Sequence, residues 1–293
     1  MGSTFVEAEL ASQPTVWRRA AAEIASYSAA LPQPGRIVAV AGSGTSWFMS
    51  MSYAQLRETA GHGRTDAFVS SEFPLQRDYD HVIVITRSGT TTEAIDLLSA
   101  LKGRAETTVI TAVPGSPVTA VADHVIEIPF ADEESVVQTR FATTTLALLR
   151  AGLGTDIEPL AKQAEAALQI DVTPLLDANQ CSFLGRGWSI GMAYEAALKC
   201  REAAQFWVET HPAMDYRHGP IAIAEPGRLV WAFGEVPDGL PDEVAARGAT
   251  WIHHDFDPMA ALIVAQRFAV ALALSKGLDP DHPRALTRAV ILR

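Results

Sequence analysis

Residues 37–56 read IVAVAGSGTSWFMSMSYAQL: an apolar run rich in valine, a glycine, a cluster of hydroxyl residues, then a helix-forming stretch. A run that is apolar throughout, as Ile37–Val40 is, suits a strand of a parallel sheet covered on both faces. The step from strand to helix through Gly42, Ser43, Gly44, Thr45 and Ser46 gathers amide donors and hydroxyls at the positive end of a helix, the chemistry of an anion cup. Further runs at Val82–Thr86, Thr108–Val113 and Val125–Ile128, separated by helical stretches, place the first half in the α/β class.

The second half repeats the plan. FLGRGWSIGMAYEAAL at 183–198 sets Gly185 where Gly42 stood, and Leu229–Phe233 takes the place of Val82–Thr86, which reads as an internal duplication. Ala151–Gly154 and an Ala-rich helix from about Glu158 to Leu176 connect the halves, with the boundary near residue 165. Residues 9–31 form a further helix, with Pro14 in its opening turn and Trp17, Ala21 and Ile24 on one face.

A second cup follows Val82–Thr86: Thr86, Arg87, Ser88, Gly89, Thr90, Thr91 and Thr92, then Glu93 in a first helical turn. In a doubly wound sheet, ligands bind at the carboxyl ends of strands near the switch point, so both loops can serve one phosphate. Serine and threonine also cap helices without any ligand, and either loop alone favours that plainer reading. The register G-S-G-T-S-W lacks the third glycine of a dinucleotide fingerprint, and neither loop carries the lysine of a nucleoside-triphosphate loop. A third stretch, Glu134–Arg140 with Gln138, can close the pocket.

The 293 residues are 48% hydrophobic and 19% charged, with a net charge of -11, which argues against a partner bound through its phosphate backbone. Two cysteines, Cys181 and Cys200, and no CxxC or HExxH pair leave neither a disulfide framework nor a metal cage, so no metal or organic cofactor is expected. The N-terminus lacks the basic and apolar regions of a signal peptide, and residues 258–278 are interrupted by Gln266, Arg267 and Lys276, so a cytoplasmic protein without a membrane role is expected.

Glu195, Lys199 and Glu202 share one helical face by their spacing, and a carboxylate held near a cation can move a proton between C1 and C2 of a sugar through an enediol. Glu202 is the candidate base. The same spacing also makes exposed salt-bridge ladders. In Tyr216-Arg217-His218-Gly219-Pro220, the His218 imidazole stands in a loop where it can protonate a ring oxygen.

ELASQP, AGSGTS, SSEF at 70–73, TRSGTTTEA, VPGSPV, ESVVQTR, FLGRG, EAALKCREAA, YRHGP and DPDHPRALTRAV follow one another along nearly the whole chain. With these, the chain resembles the sugar isomerase (SIS) superfamily, specifically tandem-SIS proteins related to the isomerase half of glucosamine-6-phosphate synthase. The resemblance implies two tandem SIS domains, 1–165 and 166–293, each a parallel sheet flanked by helices in a flavodoxin-like three-layer sandwich. It implies that Ser43, Thr45, Ser46, Ser88, Thr91 and their neighbours bind a 6-phosphate, that Glu202 transfers the proton, and that Lys199 lies beside the sugar. Ring opening falls to His218, contributed by a neighbouring subunit, so a homodimer is expected. Three departures stand out. No glutaminase domain is expected before the first unit, Arg288 stands where the family's tail often carries a lysine near the open-chain sugar, and Arg87 replaces a small or amide residue. The expected activity is isomerisation of an aminosugar or ketose 6-phosphate, with or without deamination. A fructosamine-6-phosphate deglycase and a non-catalytic sugar-phosphate sensor are the alternatives.

Overall fold

A computed structural model describes residues 4–292. The chain opens with helix α1 (Phe5–Tyr27). Then come β1 (Val38–Gly42), α2 (Thr45–Thr59), β2 (Thr65–Val69), β3 (His81–Ile85), α3 (Thr92–Leu101), β4 (Glu106–Thr111), β5 (His124–Glu127) and α4 (Arg140–Gly152). The five strands form one parallel sheet in the order β2-β1-β3-β4-β5. Every residue of β1 and of β3 is buried, which is why both runs are apolar throughout. The order reverses at β1, whose last residue, Gly42, pairs with Val69 on one side and Ile85 on the other. Ser43, Ser70 and Thr86 each follow directly on those aligned ends. This is the switch point at which an open α/β sheet offers its crevice.

The sequence reading placed four of these strands within a few residues and missed β2. TDAFV is only partly buried along most of its length, as an edge strand is, and Asp66 in it broke the apolar pattern. The first helix begins earlier than expected. Thr4 and Glu7 cap each other reciprocally, Thr4 N donating to Glu7 Oε2 and Glu7 N to Thr4 Oγ1, so Pro14 lies inside the helix rather than in its opening turn.

The rest of the chain carries α5 (Glu158–Ala167), β6 (Gln180–Gly185), α6 (Ile190–Ala204), β7 (Val208–Pro212), β8 (Arg228–Phe233), α7 (Leu240–Ala245), β9 (Thr250–His253) and α8 (Pro258–Ser275). Its parallel sheet runs β7-β6-β8-β9, the first sheet's order with one strand fewer, because after β9 the chain enters α8 directly. Gly185 pairs with Pro212 and Phe233 as Gly42 does with Val69 and Ile85. By this register Val82 corresponds to Val230, one position on from the alignment with Leu229.

The chain forms two compact units. The first contains Ser12–Glu134, Gln138–Glu158 and the residues from Thr287; the second contains the residues up to Ala11, Ser135–Val137 and Pro159–Leu286. A single cut near residue 165 therefore describes neither end of the chain. In the second unit Asp281 accepts from the amides of Phe5 and Val6, while Val6 and Leu10 pack on Val270. In the first, Thr92 N donates to Val290 O and Leu292 N to Thr92 Oγ1. Helix α8 is long and apolar enough to cross a membrane, yet it packs along α6 with most of its length buried, as a core helix.

Candidate functional site

The first unit's cup starts at Gly42. A Cβ there would stand 2.6 Å from Ser46 Cβ and 2.7 Å from its carbonyl carbon, so only glycine lets α2 start this close to β1. Gly44, at φ 55°, turns the chain into the helix, and its carbonyl accepts from Trp47 N and Phe48 N. Ser43 and Gly44 are exposed while Thr45 and Ser46 are buried, so the loop offers solvent an outer rim and an inner wall of hydroxyls.

The second cup is held from behind by β4. Thr86 N donates to Ile110 O, Ala112 N and Thr111 Oγ1 both donate to Arg87 O, and Val118 N donates to Gly89 O. Gly89, at φ 64°, lies so near Ser116 that a Cβ would come within 1.9 Å of the serine hydroxyl. Within the loop Thr90 donates through both N and Oγ1 to Ser88 Oγ. Thr91 is the N-cap of α3 and makes no side-chain cap bond.

Arg87 neither faces solvent nor stands as a bare charge in the cup. Its side chain is 3% exposed and its Nη1 lies 3.3 Å from Glu133 Oε2, on a carboxylate that is itself fully buried. The other oxygen of Glu133 accepts from Thr139 N at 2.6 Å, Thr139 Oγ1 at 2.9 Å and Arg140 N at 2.6 Å, where α4 begins. Gln138, just before them, has a buried Oε1 without a hydrogen-bond partner among the described residues. Arg288, read as a catalytic candidate, is bonded through Nη2 to Asp132 and through Nη1 to the Glu133 carbonyl.

Sequence reasoning gave no role to Glu133, Ser116 or Ser70. A lone arginine inside a buried loop calls for a buried counter-ion, and that was the available signal for Glu133. Ser70 needed β2 to be recognised first. Its buried hydroxyl lacks a partner among the described residues, and it lines a cleft of about 300 Å³ with Phe73, Leu97 and Glu93, whose buried Oε2 likewise has none among them.

In the second unit, α6 brings Glu195, Lys199 and Glu202 together as their spacing implied. Lys199 Nζ lies 2.5 Å from Glu202 Oε2 and 3.5 Å from Glu195 Oε1. Glu195 and Lys199 are buried and Glu202 is 21% exposed, so this is not a solvent-facing ladder. Such a carboxylate, beside a buried ammonium but open on one side, is suited to accept a proton from a bound molecule. His218 ends a short 3-10 turn of the same unit and is exposed, while its neighbour Arg217 is clamped by Glu243.

The family model for the SIS domain matches residues 35–153, the span that carries both cups and Gln138. The match does not extend into the second sheet, so of the expected pair of SIS domains the family model matches the first alone, and a parallel α/β unit of the same strand order, one strand shorter, follows it. The chain is 29% identical to the isomerising glutamine–fructose-6-phosphate aminotransferase of Sulfolobus acidocaldarius, over 89% of this chain and 51% of that protein. It thus spans about half the length of the curated relatives it matches. Among solved structures it resembles glucosamine-6-phosphate deaminase from Thermotoga maritima (TM-score 0.84, 24% identity, 99% of this chain and 100% of that one). It also resembles tagatose-6-phosphate ketose/aldose isomerase from Escherichia coli (TM-score 0.80, 19% identity, 97% of each chain). At these identities the structural likeness establishes the fold alone.

Proposed function

We propose that this chain is a cytoplasmic sugar-phosphate isomerase acting on an aminosugar or ketose 6-phosphate, with deamination when the substrate carries an amine. The observation that carries the reading is the geometry of α6: Glu202, partly open, within 2.5 Å of a buried Lys199 that a second buried carboxylate flanks. The SIS domain's two hydroxyl-lined loops supply the phosphate site. In the second unit His218 passes a proton to the ring oxygen as the C1 hydroxyl loses one, giving the open chain. Glu202 then removes the C2 proton of an aldose and returns it to C1 as the O2 proton passes to O1, while the Lys199 ammonium steadies the enediolate. With an amine at C2 the product is a ketimine, which takes up water and releases ammonia to leave the ketose.

The second unit is a diverged copy of the SIS domain in this reading, on the strength of the shared strand order. The assembly is a homodimer in which His218 serves across the subunit interface, an assignment that rests on the family resemblance together with the exposure of His218. Arg288, bonded to Asp132 and to the Glu133 carbonyl, anchors the C-terminal residues rather than forming an imine.

A mass-spectrometric turnover screen tests the proposal, using glucosamine, galactosamine, fructose, tagatose and fructosamine 6-phosphates with Glu202→Gln as control. Turnover of one of the first four, lost in the variant, supports it. Turnover of the fructosamine phosphate alone makes the protein a deglycase, and binding without turnover across the panel makes it a sensor.

A further inference from the structure

We infer that Glu133 is the positioning residue of the phosphate site, an inference that rests on the reading of the SIS domain's loops as that site. One fully buried carboxylate divides its two oxygens between the elements that have to cooperate. Oε2 holds the guanidinium of Arg87, in the middle of the second hydroxyl-rich loop. Oε1 holds the amides of Thr139 and Arg140 and the hydroxyl of Thr139, at the entrance to α4 and directly after Gln138.

Arg87 is bound at both ends by this arrangement. Its carbonyl is fixed to β4 by Ala112 N and Thr111 Oγ1, and its guanidinium is fixed to α4 through Glu133. The pairing also cancels the arginine's charge, so the loop meets a phosphate through oriented hydroxyls and amides and not through a loose cation. Glu133 therefore sets the distance between Ser88 and Gln138 without touching the anion itself.

Isothermal titration of the full chain with inorganic phosphate tests this, comparing wild type, Glu133→Gln, Arg87→Gln and the double variant, each with its melting temperature. Positioning predicts that each single variant weakens phosphate binding about tenfold, and that the double variant, a neutral amide pair, recovers to within about threefold of wild type. Melting temperatures that fall in the single variants while phosphate affinity stays constant would mean a purely structural ion pair, and overturn the inference. Tighter binding in Glu133→Gln overturns it too, because Arg87 is then a direct ligand that Glu133 merely weakens. A wild-type chain that does not bind phosphate removes the site itself, a failure of the functional reading and distinct from the other two.

Discussion

In the first unit the chain leaves β1 through Gly42 and Ser43 and enters α2; in the second it leaves β6 through Gly185 and Arg186 and enters α6. Both glycines lie under the start of the following helix, where a Cβ would meet backbone or Cβ atoms at 2.5–2.7 Å. Past that point the two loops diverge. Ser43 and Gly44 stay open with Thr45 and Ser46 behind them, whereas Ser189, at the matching end of the second loop, donates to Phe233 O and accepts from Arg186 N. Thr86–Thr92 has as its counterpart a loop in which Glu235 is bonded to Arg186 and Asp238 contributes its carbonyl to Arg217. Strand ends of the same order thus carry a hydroxyl-lined loop open to solvent in one unit and a self-satisfied loop in the other. A shared frame constrains where a loop starts and leaves open what it binds.

The comparison breaks most visibly at α6. Glu202→Gln should lower turnover by roughly 10²–10⁴-fold, the usual range for a general base, while phosphate affinity at the SIS domain stays at the wild-type value. Titration and steady-state rates measured on one preparation check both halves. A loss of phosphate binding in that variant would mean that the two units do not divide the work.

A second test sets the units apart by pH. Thr108 Oγ1 donates to the carbonyl of Ala30, so at 2.7 Å it accepts from Nε2–H of His81, a first-unit imidazole. Burial, which outweighs the opposing attraction of Glu106, lowers its pKa from 6.5 to about 4. The unfolded chain takes up a proton between those values that the folded chain refuses, so folding stability is lost as pH falls through that window. The loss reaches about 3 kcal/mol below it. Urea unfolding from pH 7 to 4 should show this slope, and His81→Gln should flatten it; an unchanged slope would place the acid sensitivity elsewhere.

Gly42→Ala and Gly185→Ala should each destabilise the protein by about 1–3 kcal/mol, because the added methyl meets a helix start that cannot yield. Equal shifts in urea midpoint would sharpen the claim of a common frame, and a large inequality would break it. The smallest effects separate the hydroxyls. Ser88→Ala should weaken phosphate binding several-fold, by about 1 kcal/mol, whereas Ser189→Ala should leave binding alone and cost about 1 kcal/mol of stability through its two lost hydrogen bonds.

Much of this was legible along the chain. Runs such as Val82–Ile85 and Val38–Ala41 declare a buried parallel strand, since every position must be apolar when both faces are covered. Gly42 marks a turn that tolerates no side chain, and the periodicity of α6 puts Glu195, Lys199 and Glu202 on one face, because local geometry alone sets these. Burial and long-range pairing were not legible. An edge strand such as β2 carries a weak apolar signal, and whether Glu-Lys-Glu is a surface ladder or a buried triad depends on what packs over the helix. Arg87 finds Glu133 forty-six positions away, and Arg288 finds Asp132 across more than half the chain. Sequence determined the local conformations and the chemistry on offer; only the tertiary structure decided which charges meet and which are shielded, because those pairings join residues remote along the chain and depend on the desolvation that packing imposes.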